Sequence, residues 1–163
     1  MGDIKKRRRL FSRPRKLFDR ARIDAEDIIV QKFGLKNKRE IWKAKSAVSR
    51  FRRRAKALIG KDMEEQNKYF EKLSKMGLNV TSVSDALALT EENLLNRRLQ
   101  TVVFKKGLAN SPKQARQLIV HKSVLVDGCV VNIPSFLVTR DLESKISLKV
   151  RKVKSKPVKE ASE

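Results

Sequence analysis

The sequence predicts an α+β chain: a helical N-terminal layer followed by a small module built from a helix pair and a β-hairpin. Three observations carry this. Between residues 38 and 59, Ile41, Ala44, Val48, Phe51, Ala55 and Leu58 recur at spacings of three and four, the narrow apolar seam of a helix that packs along another. Asp127-Gly128 interrupts two β-prone runs, Ser123 to Val126 and Cys129 to Asn132, as a type I′ turn demands, since both its central residues need positive φ. Between seam and hairpin, Thr90, Gly107 and the pair Ser111-Pro112 punctuate the chain where two helices start and stop.

Taken in order, residues 1–22 form a basic arm. It carries KKRRR at 5–9, with Phe11, Leu17 and Phe18 among further cations, and Pro14 breaks any early helix. Such an arm has no core of its own and orders along a polyanion, where arginine pairs with phosphate or stacks on a base. Residues 23–96 form the helical domain. Asp24 caps a helix over 25–33 that Gly34 ends, and the seam helix follows, with Arg50, Arg52, Arg53, Arg54 and Lys56 around its apolar face. Beyond Gly60, the acids Asp62, Glu64 and Glu65 mark a further helix start, with Met63, Phe70, Leu73 and Met76 as its apolar side and Gly77 as its end. A short helix over 84–88 connects to Thr90. Trp42 and Tyr69 each sit beside a seam position and are read as packing residues rather than as base-stacking platforms.

Residues 97–150 form the module. A single helix over 91–106 places Leu95, Leu99, Val102 and Val103 on one face, leaving Arg98, Thr101 and Lys105 on another. In the next helix Ala115, Leu118 and Ile119 are apolar, while Lys113, Arg116 and Gln117 face elsewhere, Arg116 toward solvent. Ile146 to Val150 alternates and adds a strand to the hairpin; 151–163 is a Lys-rich, acid-tipped tail. From Arg97 to Lys122 cations stand at 97, 98, 105, 106, 113, 116 and 122, with no carboxylate before Asp127. Any one of them serves equally to solvate a helix. Together they present an unopposed positive field.

Composition points the same way. A formal charge of +22 in 163 residues exceeds what solubility requires and implies a polyanionic partner. No apolar run approaches the roughly 18 residues of a membrane span, and the N-terminus lacks the apolar stretch of a secretory signal. Cys129 alone forms no intramolecular disulfide and, with His121 the one histidine, offers too few soft ligands for a structural zinc site. Cys129 is read as a small packing residue. No metal, cofactor, small-molecule substrate or membrane is expected. The acids at helix starts have a structural explanation, and neither a nucleophile with a partner base nor a phosphate-cradling glycine loop is present.

The order Arg98-Leu99, Ser111-Pro112, Ala115-Arg116-Gln117, Lys122, Val126-Asp127-Gly128, Val131 and Pro134 resembles the S-four-type RNA-binding domain. That resemblance implies the alpha-L arrangement of two helices and a hairpin, with an RNA-contacting surface. Extended over about residues 1–150, through KNKREIWKAKSAVSRFRRRA and NIPS at 132–135, the chain resembles the family of small-subunit ribosomal protein four, in its archaeal and eukaryotic branch. What the family resemblance implies is direct binding to small-subunit ribosomal RNA in the cytoplasm, early assembly of the subunit body, and translational accuracy shared with neighbouring proteins, the fifth among them. The zinc-binding cysteine cluster of some relatives is not in this sequence. The expected rRNA-binding residues are Arg7, Arg8 and Arg9 in the arm; Arg50, Arg53 and Arg54 on the seam helix; and Arg98, Lys105, Lys106, Ser111, Lys113, Arg116, Gln117 and Lys122 in the module. No residue is expected to be catalytic. An RNA-modifying enzyme or a tRNA synthetase carrying this module would need a further catalytic domain; a free-standing RNA chaperone or rescue factor would keep the module without the long basic helical layer.

Overall fold

A computed structural model describes residues 10–149. The helical layer comprises α1 (Arg20–Phe33), α2 (Lys38–Ala57), α3 (Met63–Lys75), α4 (Val83–Ala88) and α5 (Glu91–Asn96). Helix α2 is its spine, and its local chemistry explains why it forms. The Asn37 side chain accepts from the Arg39 amide at 3.0 Å, Glu40 stands in the first turn, and Arg54 and Lys56 stand in the last, where the helix dipole favours each. The seam is buried as expected at Ile41, Ala44, Val48, Ala55 and Leu58, and Phe51 is partly buried against the same core. Tyr69, Phe70 and Leu73 of α3 and Leu94 and Leu95 of α5 complete that core. Each buried large aliphatic or aromatic side chain there contributes about 1.5–3 kcal/mol.

A second core lies in the module, formed by α6 (Leu99–Lys105), α7 (Pro112–Val120), β1 (Val124–Val126), β2 (Cys129–Val130), α8 (Arg140–Glu143) and β3 (Ile146–Leu148). The sheet is antiparallel in the order β2-β1-β3, with Val126 opposite Cys129 on one side and Ile146 on the other. Asp127 and Gly128 both have positive φ, 51° and 76°, the geometry the type I′ turn requires. Leu99, Val103, Ala115, Ile119, Val124 and Val138 are buried in this core. Ser111 caps α7 by accepting from the Gln114 amide at 3.2 Å, and Pro112 opens its first turn.

The structure corrects several expectations. The helix over 91–106 is two helices, because the Arg97 carbonyl and the Leu99 amide, on either side of Arg98, bond to a distant segment instead of continuing the ladder. Val138 N–H donates to the Arg97 carbonyl at 2.9 Å, Leu99 N–H donates to the Phe136 carbonyl at 2.7 Å, and Arg98 itself is extended. Helix α1 starts at Arg20 rather than 25, so Asp24 lies inside it. Arg22 secures that extra turn by bonding the carbonyls of Lys16 and Leu17 and the carboxylate of Glu26. Met63, expected on the apolar side of α3, is 70% exposed, and Cys129 is exposed rather than packed. Leu118 is only partly buried. Helix α8, four residues long, was not foreseen. Val150, the expected end of the third strand, lies outside the described residues, as does the tail.

Candidate nucleic-acid interface

Helix α2 presents one basic surface. Arg50 and Arg53 are exposed and, with Arg13 and Lys45, edge a groove of about 600 Å³ that Phe11 and Trp42 also line. Trp42 is held from behind: its indole N–H donates to Glu26 Oε1 at 3.0 Å and its ring meets Phe11 at 6.0 Å. Tyr69 is buried, donates its hydroxyl to the Phe51 carbonyl at 3.1 Å, and carries Arg54 over its ring at 5.4 Å. Both aromatics pack, as expected. Burial pushes the Tyr69 hydroxyl above its usual pKa, against the nearby charge of Arg54.

The module's cations divide in two. Lys105 and Lys106 close α6, Lys113 and Gln117 lie on α7, and Lys122 follows it in a left-handed conformation, φ 59°; all are exposed. The turn from Gly107 to Ser111 brings the end of α6 beside the start of α7, so Lys105, Lys106 and Lys113 share an end of the helix pair. Lys122 stands just past the opposite end of α7, two residues beyond Val120. The Ser111 side chain is occupied as a helix cap.

Arg98 and Arg116, expected on the wet face, are not there. Arg98 is 6% exposed and its guanidinium is paired with Glu40 Oε2. Arg116 is partly buried and donates to Glu40 Oε1 at 3.1 Å and to Gln100 Oε1 at 3.3 Å. Thr101, placed by periodicity on the same wet face, is buried with its hydroxyl donated to the Leu95 carbonyl at 2.8 Å. The positive field is therefore opposed at Arg98 and Arg116 by a carboxylate from α2. Burial pushes the Glu40 carboxyl up, but the hydrogen bonds and charges of Arg98 and Arg116 together outweigh it and hold the group below its ordinary value. Arg97 is also tied down, to Glu143 at 2.8 Å and to the Val138 carbonyl.

Sequence reasoning missed Glu40 and Gln100. Glu40 did leave a signal, since it is the one carboxylate between Asp27 and Asp62 in an otherwise cationic stretch. Gln100 left none: it reads as polar, yet it is 1% exposed and donates to the carbonyls of Phe33, Gly34 and Pro112. Arg7, Arg8 and Arg9 lie outside the described residues. Among the described residues no cluster of three metal-ligating side chains occurs, and no helix is long and apolar enough to cross a membrane.

Residues 97–143 match the S4 domain. Over 165 aligned residues the chain is 43% identical to the small ribosomal subunit protein uS4 of Saccharolobus islandicus, in strains L.S.2.15 and M.14.25 alike, covering 96% of this chain and 91% of the relative. These relatives are archaeal, in keeping with the branch read from residues 20–60. Identity at that level over nearly the whole of both chains, with the matched domain falling on the helix pair and hairpin, means that this chain belongs to the uS4 family of small ribosomal subunit proteins.

Proposed function

We propose that this chain binds small-subunit ribosomal RNA directly, through the α2 surface and the S4 module together. It is a structural constituent of the small subunit rather than an enzyme. The observation that carries the direct-binding reading is the exposed set Lys105, Lys106, Lys113 and Lys122, which remains on the S4 module after Arg97, Arg98 and Arg116 have been drawn into ion pairs. On this reading Arg7, Arg8 and Arg9 of the arm, Arg50, Arg53 and Arg54 of α2, and Gln117 complete the contact set. Arg98, Arg116 and Ser111 serve it from within the fold. The organisation is an arm at 1–22, a helical domain at 23–96, the S4 domain at 97–150 and a tail at 151–163. The S. islandicus relatives are named as small-subunit proteins, and we extend that placement to this chain, in the cytoplasm. Early entry into the subunit body and a share in decoding accuracy beside the fifth small-subunit protein belong to the same proposal.

Sucrose-gradient fractionation of cells carrying a tagged copy tests it. Stoichiometric presence in the small subunit at moderate and high salt is the expected result. A chain that leaves the subunit entirely at moderate salt, or that never enters it, refutes the reading.

A further inference from the structure

Glu40 accepts hydrogen bonds from two arginines that belong to a different part of the chain. Its Oε1 meets Arg116 Nη2 at 3.1 Å, and its Oε2 meets Arg98 Nη2 and, at 3.4 Å, Arg116 Nη1. Arg98 opens α6 and Arg116 lies on α7, so a single carboxylate on α2 grips both helices of the module. The grip continues inward. Arg116 also reaches Gln100, whose amide donates to the carbonyls of Phe33, Gly34 and Pro112 at 3.2, 2.9 and 3.0 Å, joining the end of α1 to the start of α7. The Glu40, Arg98 and Arg116 side chains are 17%, 7% and 26% exposed, so solvent competes weakly for any of them. A carboxylate shared by two planar guanidiniums accepts a narrow range of orientations, while the cost of taking such charges out of water offsets much of their attraction.

The cations proposed to face RNA stand on either side of this grip, Arg50 and Arg53 on α2 and Lys105, Lys106, Lys113 and Lys122 on the module. We infer that Glu40 is the positioning residue of the interface: by holding Arg98 and Arg116 it fixes the angle between the α2 surface and the S4 module, so that both meet a folded RNA at a preset spacing. The inference rests on the RNA-binding reading above. A rigid pair of surfaces engages its second site at high effective concentration; a hinged pair forfeits much of that gain.

The test uses the full chain. Cys129, exposed at the hairpin, and an introduced Ala57→Cys at the end of α2, also exposed, accept a spin-label pair across the two surfaces. The inter-label distance distribution is measured by double electron–electron resonance in the parent, Glu40→Ala and Glu40→Gln. Affinity is measured in parallel, at one salt concentration, for a folded small-subunit rRNA fragment and for a plain duplex of equal length. In Glu40→Ala the distribution broadens, affinity for the folded fragment falls about tenfold or more, and affinity for the duplex stays within about twofold. Glu40→Gln, which keeps the shape and one acceptor oxygen, falls between. If circular dichroism shows Glu40→Ala unfolded, Glu40→Gln decides. An unchanged distribution, or an equal loss on both RNAs, overturns the inference. A parent chain that binds neither RNA overturns the RNA-binding reading instead, and the distance distributions then judge the grip on its own.

Discussion

Arg116 and Lys113 lie on the same short helix and carry the same charge, yet they answer to different partners. Arg116→Glu sets a second carboxylate against Glu40, in a site where Glu40 keeps only 17% of its side-chain exposure. The expected cost is about 2–3 kcal/mol, above an exposed pair and below a fully buried one, read as a lowered urea midpoint. A solvent-facing Arg116, as the sequence pattern placed it, would have made this substitution harmless to the fold; the pairing with Glu40 reverses that. Lys113→Glu, on the exposed face, should leave the urea midpoint within the roughly 0.5 kcal/mol typical of surface changes and weaken RNA binding in a filter assay. Unchanged binding removes Lys113 from the interface. Periodicity gives the phase of a side chain on its helix but not what another helix brings to that phase. That is why Lys113 was legible and Arg116 was not. Glu40 also predicts a response to acid. Its folded pKa is depressed, so its contribution to stability is fully present above its ordinary value of 4.5 and is lost as pH falls through the folded value. Titrated below pH 4.5, the parent should lose stability along a component that Glu40→Gln lacks. Asp85 adds a separate loss, which begins below its ordinary value of 3.8. Hydrogen bonds from Thr81 and Ser82 at the start of α4 lower its carboxyl from 3.8 to about 2.

Elements whose causes are local were readable in advance. The α2 seam follows from spacing, the hairpin from Asp127-Gly128, and the start of α7 from Ser111-Pro112. The break between α5 and α6 was not, because its cause is the backbone of residues 136–138, which no window around Arg97 contains. Gly34 was legible as a helix stop, and its second role emerges only from the packing. It has φ +59°, and a Cβ built there would meet Pro112 Cβ at 2.7 Å, so the end of α1 abuts the start of α7 with no room between them. Gly34→Ala should destabilise the chain by about 1–3 kcal/mol, the range for strained non-glycine backbone, visible as a lowered thermal midpoint. An unchanged midpoint would show that α1 and α7 separate freely.

At the scale of the whole molecule, composition alone announced the partner class: +22 in 163 residues leaves a polyanion as the natural counterpart. Many contacts of this kind release counterions together, so affinity for structured RNA should fall steeply and linearly in log–log form with salt. Measuring the dissociation constant across a salt series checks this, and a nearly flat dependence contradicts it. Composition does not reveal that the chain withholds part of its charge. Arg97, Arg98 and Arg116 are held in internal ion pairs, so the charge available to RNA is smaller than the sequence total and sits on particular edges.

The grip on Glu40 joins residues 58 and 76 positions apart in the chain. During synthesis α2 emerges well before α6 and α7 exist, so Glu40 spends that interval hydrated and unpaired. Loop closure of that length is an entropic cost met before its contacts repay it, and such contacts form late in folding. Glu40→Gln should therefore leave the refolding rate nearly unchanged and accelerate unfolding, giving a φ-value near 0. The angle between the two halves is then the last feature of the native state to be set and the first to be lost.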